Sequence, residues 1–158
     1  MTGSDPRLRV VFDCMIYLQA TANESGSAAA LLRMLDDNRI SLFVSREVLM
    51  EVRDVLSRPK IRQKIPQITD ERVGALLTRL AEKGTLLENV PKHFSYERDP
   101  KDEKYLDLAI EADAVYLVSR DNDLLDLMRR DTTAGDDFCR RFPSLTILDP
   151  VAFLNLVR

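Results

Sequence analysis

Short apolar runs alternate with amphipathic stretches along most of the chain. Residues 8–12 (LRVVF) are β-branched and aromatic and stop abruptly at Asp13, the pattern of a strand buried on both faces. Ser25 or Ser27 is placed to cap a helix running to about Asp37, in which Ala28, Leu31, Leu32 and Leu35 recur at helical spacing. Residues 40–44 (ISLFV) predict a second strand, and Ser45 caps a helix with Val48, Val52 and Val55 on one face, closed by Arg58-Pro59. Pro66 interrupts residues 61–67, after which Thr69-Asp70 opens a helix whose Val73, Leu76, Leu77 and Leu80 form a stripe that Gly84 ends. Residues 86–90 predict a third strand, followed by a polar stretch over residues 91–101. Asp102 opens a helix with Tyr105, Leu106, Ala109 and Ile110 inward, residues 115–118 (VYLV) predict a fourth strand, and a short helix starts near Asp121. Residues 129–143 read as a long loop, either mobile or partner-binding or simply solvated; residues 145–148 give a fifth strand, and Pro150 begins a terminal helix through Leu156.

This order calls for right-handed crossovers and a mostly parallel sheet covered on both faces, an α/β layered sandwich. Ligands in such folds bind beyond the carboxyl ends of the strands, where the strand order reverses. That rule selects Asp13, at the end of the first strand, and Asp121, just past the fourth. Glu51, near the start of the helix after the second strand, and Asp102, at the start of the helix before the fourth, can face the same edge.

Two carboxylates ~4 Å apart repel by roughly 4 kcal/mol at an effective dielectric of ~20, so four of them converging would take up protons or bind a cation. All-oxygen ligation favours Mg²⁺ or Mn²⁺ over zinc. Singly, Asp102, Asp121 and Glu51 each read as helix caps or solvated charges before they read as ligands. Asp13 does not, because an acid directly after a buried strand has no packing reason to be there.

Competing chemistries lack their residues. No glycine-rich loop follows the first strand, against a dinucleotide or P-loop site. A haloacid-dehalogenase-type phosphatase wants Asp-x-Asp where the chain has Asp13-Cys14-Met15, and a Ser-His-Asp hydrolase wants more than His93, which sits in a polar stretch and reads as a surface residue. A phospho-accepting receiver domain would need an acceptor after the third strand and a Lys after the fifth, where Glu88-Asn89 and Asp149-Pro150 stand.

The chain of 158 residues is sized for one domain, 1–158, burying roughly 70% of its unfolded surface. Its 45% hydrophobic content excludes a disordered chain. Cys14 and Cys139 have no neighbouring Cys or His, so neither a zinc ribbon nor a redox pair is indicated and a reducing cytoplasm is the simplest setting. The first seven residues are short and polar and no apolar run approaches the ~18 residues of a membrane span, so neither a leader nor an anchor is expected. From a net charge of −3, setting aside the four candidate site acids leaves +1, so the rest of the surface does not oppose nucleic acid. Basic residues gather at Arg53, Arg58, Lys60, Arg62 and Lys64, and at Arg129, Arg130, Arg140 and Arg141, as solvated charges or as phosphate contacts.

Four segments carry a resemblance to a known family: residues 10–20 (VVFDCMIYLQA), 45–60 (SREVLMEVRDVLSRPK), 98–125 (RDPKDEKYLDLAIEADAVYLVSRDNDLL) and 145–150 (LTILDP). Together they resemble the PIN-domain ribonucleases, and within them the branch of toxin components of toxin–antitoxin systems, over Arg9 to about Leu148. The resemblance implies a three-layer sandwich around a five-stranded sheet of order 3-2-1-4-5. It implies that Asp13, Glu51, Asp102 and Asp121 are the catalytic tetrad, holding one or two Mg²⁺ or Mn²⁺ ions that activate water against a phosphodiester of single-stranded RNA. Ser119 matches a hydroxyl that orders the site, and Asp99 and Asp123 match acids beside the tetrad. A cognate antitoxin and a homodimer are the partners it implies, with no membrane. Family members usually follow the first acid with Thr or Ser and then Asn; here Cys14 and Met15 stand, and a thioether has no donor with which to orient carboxylates. Losing such an outer-shell group costs ~10 to 100-fold in metal affinity or activity. The alternative reading is therefore a weak or inactive PIN-like module that binds RNA or a partner.

Overall fold

The computed structural model describes residues 5–157; Met1 to Ser4, on which part of the leader argument rests, lie outside them. The sheet has five parallel strands in the order β3-β2-β1-β4-β5, with helices on both faces, as the sequence pattern and the resemblance anticipated. β1 (Leu8–Phe12) lies at its centre, pairing Val10 with Leu42 of β2 (Ile40–Ser45) on one side and Phe12 with Val118 of β4 (Tyr116–Val118) on the other. β3 (Thr85–Leu87) and β5 (Thr146–Leu148) form the edges. The chain leaves β1 toward β2 and later returns on the far side as β4, so the order reverses between β1 and β4.

Capping sets most helix starts. α2 (Ser27–Asp36) runs where the apolar stripe required it, but neither Ser25 nor Ser27 caps it, Gly26 standing there without a side-chain bond; α3 (Arg46–Leu56) begins with Ser45 Oγ accepting from the Val48 amide at 3.1 Å, and α5 (Asp70–Lys83) with Thr69 accepting from Arg72 at 3.2 Å. α6 (Glu103–Glu111) follows a 3-10 turn over Pro100–Asp102, and α7 (Asn122–Leu125) and α9 (Pro150–Val157) follow β4 and β5. The core is continuous, joining Val10, Val11 and Phe12 of β1 to Leu31, Leu35, Val52, Leu80, Leu106, Phe138 and Phe153.

Four further expectations need correction. Cys14–Ala22 forms a helix, α1, that the sequence reading passed over, because Cys14, Ile16, Tyr17, Leu18 and Ala20 bury several faces and leave no polar stripe. Pro59 does not merely close α3: it occupies the first turn of α4 (Pro59–Lys64), where its missing N–H costs nothing. The third strand spans Thr85–Leu87 rather than residues 86–90, the chain turning soon after through Asn89 at φ 57°. Finally, the supposed loop at 129–143 contains α8 (Thr133–Arg141), which docks through the buried Phe138 and Gly135 and is mostly polar elsewhere.

Gly135 allows that docking. A Cβ there would lie 1.8 Å from the Arg129 carbonyl oxygen, whereas one on Gly74 in α5 meets nothing within 4 Å. Gly135→Ala is expected to cost at least about 1–3 kcal/mol by forced displacement of backbone, and Gly74→Ala to gain about 0.5–1 kcal/mol of helix propensity, both read by urea denaturation. Equal effects at the two positions would refute this packing of α8.

Candidate metal centre

Asp13 leaves the end of β1 and its carboxylate does two jobs. One oxygen accepts from the Ile16 amide at 3.2 Å, capping α1, and the other accepts from the Ser119 hydroxyl. So Asp13 does have a structural reason to be there, one hidden until α1 is seen. Ser119, fully buried at the end of β4, also accepts from the Asp121 amide at 2.9 Å, and thereby ties the two strand ends together. Asp121 caps α7 through the Asp123 amide at 2.9 Å, and Asp99 accepts from the Lys101 amide at 3.2 Å.

Asp102 caps nothing. It is buried, and its Oδ2 has no hydrogen-bond partner among the described residues. Buried polar groups are nearly always paired, and leaving one unpaired costs about 1–3 kcal/mol, more when it is charged. Around it, Asp99, Asp102, Asp121 and Asp123 each offer a carboxylate oxygen, and these lie within 4.8 Å of one another. At that separation two ionised carboxylates repel by roughly 3–4 kcal/mol at an effective dielectric of ~20. Burial, followed by contact with the Asp121 carboxyl and the charges of Asp99 and Asp13, raises the Asp102 pKa to about 8. Burial raises that of Asp13 to about 6, opposed by the Ser119 and Ile16 hydrogen bonds and reinforced by Asp121.

Glu51 sits on a neighbouring part of the wall. It accepts from the buried Tyr105 hydroxyl and pairs with Lys104 at 3.1 Å, so two side chains of α6 hold it. Burial pushes the Cys14 thiol up, reinforced by the charges of Glu51 and Asp13. Cys14 itself is buried and Met15 is 43% exposed. The sequence reading missed Tyr105 and Lys104 as site residues: Tyr105 showed only as an inward helix position, and Lys104 had no signal beyond its charge. Arg98 was also missed; it bridges Asp123 at 2.6 Å and Asp126 at 3.0 Å and so partly neutralises one side of the cluster.

Most of the basic clusters are engaged locally. Arg58 pairs with Asp54, Arg62 with Asp70, Arg129 with Asp131, Arg140 with Asp136 and Arg141 with Asp137. His93 is a surface-side residue whose Nε2 lies 2.8 Å from Glu111. No helix among the described residues is long and apolar enough to cross a membrane.

The PIN domain family model matches residues 9–123, which covers β1 through the start of α7 and every acid of the cluster. The chain belongs to the PIN domain family, whose fold is generally that of a nuclease. Over 121 residues it is also 25% identical to an uncharacterized protein of Methanocaldococcus jannaschii, an alignment covering 77% of this chain and 76% of that one.

The buried unpaired oxygen of Asp102 and the all-carboxylate donor set fit a hard divalent cation. They also fix a pH dependence. A carboxyl whose folded pKa is raised stabilises the fold fully below its unfolded value near 4, and that contribution is lost as pH rises toward the folded value. Stability in chelator is therefore expected to fall between about pH 4 and 8 on account of Asp13 and Asp102. Asp102→Asn should flatten this fall and stabilise the metal-free protein by about 1–3 kcal/mol at pH 8. Denaturant melts at pH 5 and pH 8 measure it; an unchanged slope in the variant would contradict the burial of a repelled carboxylate.

Proposed function

We propose that the protein is a Mg²⁺- or Mn²⁺-dependent endoribonuclease acting on single-stranded RNA, with residues 1–158 working as one domain in the cytoplasm. The observation that carries this reading is Asp102: a buried carboxylate with an unpaired oxygen, inside a ring of three further aspartates, at the reversal point of a PIN sheet. Asp102 and Asp121 would hold the cation, with Asp99 and Asp123 beside them, and Asp13 and Glu51 complete the proposed tetrad. A divalent cation there supplies two things when bound, a lowered pKa for a coordinated water and neutralisation of charge building on the phosphate.

The chain's own residues do the rest. Ser119 holds the Asp13 carboxylate through its hydroxyl and the Asp121 backbone amide through its accepting oxygen, while the Asp121 carboxylate is held by the Asp123 amide. Tyr105 fixes Glu51, and Glu51 in turn keeps the Lys104 ammonium at the site's edge, where it can meet a phosphate oxygen of the substrate. Arg98 limits the repulsion by engaging Asp123 from outside. No histidine or nucleophilic side chain is required. Membership in a toxin–antitoxin pair, with a cognate antitoxin and a homodimeric state, is part of the same proposal and rests on the resemblance of the segments around Glu51 and Asp102.

One observation favours a second reading, a silent module that binds RNA or a partner: Cys14 is buried and Met15 half-exposed where the family's Thr-Asn pair would offer donors. Cleavage of a labelled single-stranded RNA in Mn²⁺ separates the two. The nuclease reading expects cutting that chelator abolishes and that Asp13→Asn or Asp102→Asn reduces by at least ~100-fold with the fold retained. Full activity in either variant, or no Mn²⁺-dependent cutting by the unaltered protein, removes it.

A further inference from the structure

An open groove of about 400 Å³ lies between α1 and the start of α2, bordered by Ile65 and Arg120. It adjoins the acids through the chain itself, since Met15 lies two residues past Asp13 and Arg120 immediately precedes Asp121. Met15 and Leu18 give it apolar surface, and Met15, 43% exposed, carries a polarizable thioether suited to the edge or face of an aromatic ring. Gln19 brings an amide whose oxygen is buried without a hydrogen-bond partner among the described residues. The Arg120 guanidinium donates to Ser27 Oγ at 2.7 Å rather than to a carboxylate, so a cation stands at the rim of an otherwise acidic region.

Resting on the nuclease reading, we infer that this groove receives the base of the nucleotide flanking the scissile phosphodiester. The ring lies against Met15 and Ile65, the Gln19 amide turns out of its buried, unpaired position to meet a polar edge of the base, and Arg120 contacts the adjoining phosphate. The volume is at the lower end for small-ligand pockets and suits one nucleotide rather than a stacked pair. A base can enter such a groove only when unstacked and unpaired, so the site itself selects single strands. In this chain the position after Cys14 then serves substrate contact, a role a thioether can fill where it cannot orient carboxylates.

Methyl-detected NMR on the full chain in chelator tests this without cleavage. The probes are the four nucleoside 5′-monophosphates, with ribose 5-phosphate as the base-free control. Saturable shifts of the Met15 ε-methyl and Ala28 methyl signals are expected with at least one nucleotide and not with ribose 5-phosphate. Ala22→Leu, which fills the groove from the end of α1, should weaken that binding by at least ~10-fold; Gln19→Ala, which removes the amide, should also weaken it and serves if the first variant does not fold. Shifts that are absent, that ribose 5-phosphate reproduces, or that persist unweakened in the folded variants overturn the base subsite. RNA cutting in Mn²⁺ is scored separately: cutting without base-dependent shifts rejects the subsite alone, whereas base-dependent shifts without cutting keep the nucleotide site and reject the nuclease.

Discussion

Four aspartate oxygens within 4.8 Å of one another, one of them on a buried carboxylate with an unpaired oxygen, set the terms for everything around them. Such a group cannot remain fully ionised in a partly desolvated pocket unless a cation joins it; otherwise it takes up protons. The surrounding chain is arranged to hold the acids where they are despite that. Ser119 links Asp13 to Asp121 across the two central strands, helix caps fix Asp13 and Asp121 through backbone amides, and Arg98 draws Asp123 from outside. A site that costs stability when empty is what a fold keeps when occupation offsets the cost.

The sheet explains why acids so far apart in sequence meet. β1 and β4 are adjacent and parallel, and the chain leaves them in opposite directions, so their carboxyl ends open onto one crevice with no crossover covering it. Asp13 ends β1, Ser119 ends β4, and Asp102 arrives on the 3-10 turn that opens α6. Glu51 reaches the neighbourhood from α3, one strand further over, and there it meets α6 residues instead of joining the tight cluster.

Much of this was legible in the sequence because burial and periodicity leave strong marks. Both central strands, the stripes of α2, α3, α5 and α6, and the parallel order follow from runs such as LRVVF and from Ser and Thr caps. What escaped has physical reasons. α1 is buried on several faces and so lacks the polar side that betrays a helix, while α8 is mostly polar, with Phe138 its one large apolar side chain, and so looks like a loop. Among the candidate acids, sequence could place Asp13, Glu51, Asp102 and Asp121 near one edge, but it could not separate capping carboxylates from free ones. Only coordinates show that Asp13 and Asp121 cap helices and that Asp102 does not. Tyr105 and Lys104 were invisible because their roles depend on where Glu51 lands.

The most direct measurement is anomalous diffraction from crystals soaked in Mn²⁺. The account predicts a peak among the four aspartates, at about 2.1 Å from oxygens of Asp102 and Asp121, the distance of a hard divalent ion from carboxylate. Saturating Mn²⁺ that leaves this crevice without a peak, or that binds only elsewhere, would contradict it.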